Sequence, residues 1–223
     1  MSHNKEKQLE ADIKREFQLE RMILFSDAVF AIVITLMAIE IRLPDSAGTS
    51  LTMDEFMTGL TRLYPVLLAY LISFSFIGVI WSHHLRIFSL LKDYDKGLVS
   101  RNLALLFFVG LFPFGATVIS KGPKGVLLPL LIYLSIIVCC LGALAFIEQY
   151  IYYTKPALRN DTDIGPFLEK FRLRKAMLAT LGAVIVLVIA TERLVTDPQY
   201  AWLPFLWLIL LPLAMAVFGR KKK

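Results

Sequence analysis

The chain has 223 residues, 57% of them hydrophobic, and a formal net charge of +6 from 24 Lys and Arg against 18 Asp and Glu. That is too apolar for a soluble domain, and the charge crowds into short connectors between long uncharged stretches. A water-soluble globular protein is excluded, and a polytopic helical membrane protein is predicted.

Residues 1–20 are polar and mixed in charge, with weak helical periodicity at Leu9, Ile13 and Phe17. They predict a short surface helix after a disordered start, running into the first span. No cleavable signal peptide is expected, because the first apolar run outlasts any such segment. Span 1 covers about 21–41 and ends at Arg42-Leu43-Pro44, where proline cannot continue the helix. Span 2 covers about 59–83, with Tyr64 and Trp81 placed as interfacial anchors. A charged connector, 84–98, leads to span 3 at about 99–119, which the Leu111-Phe112-Pro113-Phe114 piece should kink. Span 4 covers about 126–152. It holds Cys139 and Cys140, neighbours in an apolar run that make neither a disulfide framework nor a metal spacing. A basic connector, 153–175, precedes span 5 at about 176–195. Span 6 is about 200–219, and the basic tail Arg220-Lys221-Lys222-Lys223 closes the chain.

Orientation follows from the cations. Nineteen of the 24 Lys and Arg lie in the N-terminal segment, the 2–3 and 4–5 connectors and the C-terminus, against five on the opposite side. The excess puts both termini in the cytoplasm of a multi-pass cell (inner) membrane protein. The basic charge then reads as topology and contact with anionic membrane lipid, not nucleic-acid binding. The domain plan is a cytoplasmic segment 1–20, a six-helix membrane domain 21–219 and a cytoplasmic tail 220–223.

That topology gathers polar residues at one depth. Arg21, Ser26 and Asp27 open span 1, Trp81, His83 and His84 close span 2, and Asn102 opens span 3. A carboxylate at that depth needs donors, and arginine, histidine, indole N–H and amide N–H supply them. Three readings stay open: a helix cap at Ser26-Asp27, a clamp fixing span 1 against spans 2 and 3, and a proton-titrating site. The histidines as metal or haem ligands are disfavoured, since adjacent histidines diverge around a helix. Farther along span 1, Ile32, Leu36 and Ile39 share a face with Thr35 beside them. That face lies roughly 140° from Asp27 at 100° per residue. By spacing alone such a stripe is core packing.

The run Arg21-x-x-x-Phe25-Ser26-Asp27 resembles the Arg…Phe-Ser-Asp signature of the bacterial transmembrane protein 175 family, which is related to the lysosomal potassium channel. Trp81-x-His83-His84-x-x-x-Phe88, Asn102-Leu103 and Leu111-Phe112-Pro113-Phe114 extend the resemblance across roughly 21–119. It implies an all-α integral membrane protein, six transmembrane helices per subunit, with the first helix lining the central potassium-permeable pore of a homotetramer. It also implies a hydrophobic constriction in place of a Thr-Val-Gly-Tyr-Gly filter, at Ile32, with Thr35, Leu36 and Ile39 as further lining. Arg21, Ser26, Asp27, Trp81, Asn102 and either His83 or His84 would brace the pore helix. Glu40 and Asp45 near the outer mouth are candidates to concentrate cations, or ordinary solvated surface charge. The expected partners are further copies of the chain, membrane lipids, and potassium and other monovalent cations. No cofactor and no catalysed reaction are expected. The runner-up is an ion-coupled secondary transporter in which Asp27 and His84 titrate, against which the missing internal repeat counts. A membrane enzyme or haem protein finds no nucleophile with a base and no facing histidine pair.

Overall fold

The computed structural model describes residues 2–42, 52–123, 127–160 and 164–194. It is all-helical. α1 is Ser2–Ile39, α2 Met53–Phe88, α3 Lys96–Gly110, α4 Phe112–Lys121, α5 Leu128–Gln149 and α6 Gly165–Leu194. A π-helical turn, Tyr150–Thr154, and a 3₁₀ turn, Pro156–Leu158, follow α5. Among the described residues five helices can, by length and composition, cross a membrane, α3 and α4 acting as one. The span expected at 200–219, the tail 220–223 and Asp45 lie outside the described residues.

Local sequence explains the boundaries. Thr52 caps α2 in a reciprocal box: its hydroxyl accepts from the Glu55 N–H at 3.3 Å, and the Glu55 carboxylate accepts from the Thr52 N–H at 2.9 Å. Asp95 caps α3 by accepting from the Leu98 N–H at 2.8 Å. The third span breaks at Leu111 because Pro113 has no N–H for the carbonyl four residues back. The Leu111 N–H turns instead to the Phe108 carbonyl, and the helix restarts with Gly115 N–H on the Leu111 carbonyl. At the end of α5 the Lys155 N–H reaches back five residues to the Tyr150 carbonyl at 2.8 Å, a π-type turn that keeps Tyr150, Ile151 and Tyr152 buried.

Three expected boundaries change. The N-terminal helix runs into the first span as expected, but it is not short, since residues 2–39 form one continuous helix. Its first half is held by Leu19, which is buried, by Tyr94 donating to Gln18, and by Arg15 beside Asp93. α2 runs from Met53 to Phe88, beyond 59–83 at both ends. The connector 153–175 is helical from Gly165, so Lys170, Arg172, Arg174 and Lys175 stand on α6. Glu, Lys, Arg and Leu are good helix formers, and nothing in 165–175 stops the helix after Pro166.

One core joins α1 through α5. Phe30, Val33 and Met37 of α1 pack with Ile77 and Ile80 of α2, Leu105 and Val109 of α3, Phe112 of α4 and Leu144 of α5. In lipid, burial of apolar surface does not drive helices together, so close packing and hydrogen bonds between helices must. Both are present. Gly115 lets α4 approach α5 so closely that a Cβ there would sit 2.8 Å from Ile136 Cδ1, and Ser73 of α2 and Tyr133 of α5 share a buried hydrogen bond of 2.7 Å. α6 enters this core near its start through Phe171 and runs on against α5, with Val184 and Val188 in a second, small cluster around Leu127.

Candidate functional site

α1 presents two faces between Arg21 and Ile39. Ser26, Phe30, Val33 and Met37 recur at helical spacing and are buried against the other helices. Ile32, Leu36 and Ile39 lie on the other side and are 56%, 47% and 50% exposed. Thr35 is exposed beside them, its hydroxyl donating back to the Ile32 carbonyl at 2.8 Å. An apolar stripe continuous with Leu24, Phe25 and Ala28 is thus left uncovered by the chain's own described helices.

The buried face is pinned by hydrogen bonds across three helices. The Ser26 hydroxyl of α1 donates to the Met22 carbonyl at 2.9 Å and accepts from Asn102 Nδ2 of α3 at 2.8 Å. Asn102 Oδ1 then lies 2.9 Å from His84 Nε2 of α2, so the imidazole must present its N–H there. His84 stacks on Phe88 with ring centroids 3.9 Å apart and lies 5.7 Å from Phe30. Ser26, Asn102 and His84 are all sealed from solvent. A second, more open link runs beside it: Trp81 Nε1 of α2 donates to Asp27 Oδ1 of α1 at 2.8 Å.

The structure therefore brings together Ser26, Asn102 and His84, and separately Asp27 and Trp81. It does not bring in Arg21, which is exposed and joins no hydrogen bond or ion pair among the described residues. His83 also stands apart: one residue on, it points roughly 100° away, where Arg174 Nη2 of α6 donates to its Nδ1 at 3.4 Å. Trp81, expected as an interfacial anchor, spends its indole N–H on Asp27. Glu40 is not a free charge at the far end of α1, because Lys121 Nζ of α4 pairs with its carboxylate at 2.6 Å.

Two polar links went unread in the sequence. Glu148 of α5 and Arg174 of α6 form a buried ion pair at 2.9 Å, their side chains 2% and 10% exposed. A lone acid inside span 4 was the available signal, since intramembrane carboxylates need partners. In the loop before α3, Asp95 accepts from the Tyr150 hydroxyl at 2.6 Å, and Arg101 lies 3.9 Å over the Tyr150 ring. Burial pushes the Asp95 carboxyl up. The Tyr150 hydroxyl, the Leu98 N–H and the charges of Lys155 and Arg101 outweigh it and hold the group below its usual range.

Comparisons with known proteins bear on this arrangement. Residues 21–113 match the family model described as the endosomal/lysosomal potassium channel TMEM175. Over 93 residues the chain is 33% identical to a potassium channel of Chryseobacterium sp., covering 42% of this chain and 44% of that one. Over 97 residues it is 38% identical to a potassium channel of Chamaesiphon minutus, covering 44% and 47%. The matched segment spans about half the length of these relatives. The crystal structure of a lysosomal potassium-selective channel TMEM175 homolog from Chamaesiphon minutus superposes with a TM-score of 0.64, over 92% of this chain and 100% of that one, at 23% identity. The family match thus runs from the second half of α1 through α3, and over 92% of its length the chain shares the fold of that solved structure.

Proposed function

We propose that this chain is a potassium-permeable, leak-like channel: four copies, each with six spans, surround a pore lined by the first helix. The observation that carries this reading is the uncovered apolar stripe Ile32, Leu36 and Ile39 on a helix whose other face is hydrogen-bonded to two neighbours. One subunit's stripe encloses nothing, so a pore needs copies around an axis. Relatives over the matched segment bear the name potassium channel, and none of the chemistry requires a reaction.

Ile32 would form the constriction, with Thr35, Leu36 and Ile39 lining the path outward. A narrow aliphatic ring blocks ions by dewetting and conducts when widened and wetted. Preference for potassium then arises from partial dehydration in the ring. The ring needs no carbonyl filter, and potassium is the cargo and not a cofactor. Asp27–Trp81 and Ser26–Asn102–His84 would hold the pore helix at its cytoplasmic end, with both termini in the cytoplasm and the protein in the cell (inner) membrane. Glu40, paired with Lys121, adds little cation attraction.

Reconstitution into potassium-loaded liposomes tests the reading. Passive, downhill potassium efflux without a coupling ion is the expected result. Flux that requires a proton or sodium gradient contradicts it and points to transport with Asp27 and His84 titrating.

A further inference from the structure

Away from α1, a groove of about 460 Å³ opens between α2, α5 and α6. Its length is lined by Phe76, Val79, Leu134, Leu141, Met177 and Leu181. From Lys170 to Leu181 it follows twelve residues of α6, eleven rises or about 16 Å at ~1.5 Å each. The charged groups gather at one end, where His83, Lys170 and Arg174 meet, while Thr180 near the other end turns its hydroxyl back to the Ala176 carbonyl. Arg174 is fixed there by Glu148 behind it and His83 beside it. Lys170 is exposed and makes no ion pair among the described residues. Arg86, three residues beyond His83 on the same side of α2, is a second exposed cation without one.

We infer that this groove holds one anionic phospholipid of the surrounding bilayer, its headgroup phosphate against Lys170 and Arg86 and an acyl chain along Val79, Leu141 and Met177. The groove has the polarity of that molecule. A cationic mouth sits at the end of the membrane-crossing helices, where headgroups lie, and an apolar slot runs from it toward mid-membrane. A zwitterionic lipid would fit the slot without using the mouth's charge. The chain's own residues 200–219 are the competing occupant. Laid antiparallel to α6, that segment would bring Arg220, Lys221, Lys222 and Lys223 to the mouth already held by Lys170 and Arg86, like charge against like. The inference rests on the membrane reading but not on conduction.

The test uses the full chain in nanodiscs of equal phosphatidylglycerol and phosphatidylcholine, with retained lipid identified by native mass spectrometry after transfer to detergent. Phosphatidylglycerol should be retained preferentially. Lys170→Gln should lower that preference about fivefold, the effect of one cation near the surface. Met177→Trp, which fills the slot, should lower retention of both lipids. Equal retention of the two lipids overturns the inference, as does a preference that neither variant changes. Retention of no lipid also overturns it, and is the result expected if residues 200–219 fill the groove. Potassium efflux measured on the same preparations separates the two readings: efflux without lipid preference sinks only this inference, and lipid preference without efflux sinks only the channel.

Discussion

Asn102 shows how much one side chain can connect. Its amide nitrogen serves Ser26 of α1 and its oxygen takes the His84 N–H of α2, all three out of reach of solvent. Asn102→Ala leaves a buried hydroxyl without its donor and a buried imidazole without its acceptor. Each orphaned group costs about 1–3 kcal/mol in proteins generally, while interhelical hydrogen bonds in membranes average about 0.6 and reach about 1.7 kcal/mol. Thermal unfolding of the purified protein should therefore shift down for Asn102→Ala, more than for Ser26→Ala. The double variant should be less unstable than the sum of the two, and strictly additive losses would break the proposed link. Most of this cluster was legible, because spans of alternating direction put Ser26, Asp27, Trp81 and Asn102 at one depth. The choice between His83 and His84 was not, since neighbours on a helix diverge by about 100° and only packing selects one. Arg21 stands on α1 about one turn before this cluster, yet it pairs with none of the described residues. Glu148 was readable as a lone intramembrane acid, but its partner Arg174 was hidden in what looked like a connector.

Each helix is fixed at its ends and divided along its length. The break between α3 and α4 was legible from Pro113, and the end of α1 from Pro44. The π turn after α5 was not, because no residue type demands it and the Tyr150–Asp95 bond that accompanies it is a tertiary contact. That bond makes the start of α3 sensitive to pH. The Asp95 carboxyl titrates below its ordinary value of about 3.9 when folded. The stability it contributes is therefore fully present above that value and is lost as pH falls through the depressed folded value. Melting temperature should fall as pH drops below the ordinary carboxylate value, and Asp95→Asn, which keeps a cap but loses the charge, should flatten that part of the profile. A variant profile parallel to wild type would remove Asp95 from the acid transition.

At the scale of the whole molecule, hydropathy gave the class and the span order through α6, because uncharged runs of some twenty residues have few other uses. Assembly is implied only through resemblance. An exposed aliphatic stripe on a membrane helix faces lipid or a partner, and composition is the same for both. What favours a partner is the division of labour on α1, with polar groups tied inward and Ile32, Leu36 and Ile39 open. In the proposed channel each chain supplies one Ile32, and that side chain would govern conduction only where copies meet around an axis. Single-channel recording of Ile32→Asn in planar bilayers tests this most directly. A wider, wetted ring should raise the potassium conductance and lower the preference for potassium over sodium. Conductance and selectivity identical to wild type would contradict the placement of this stripe at a pore.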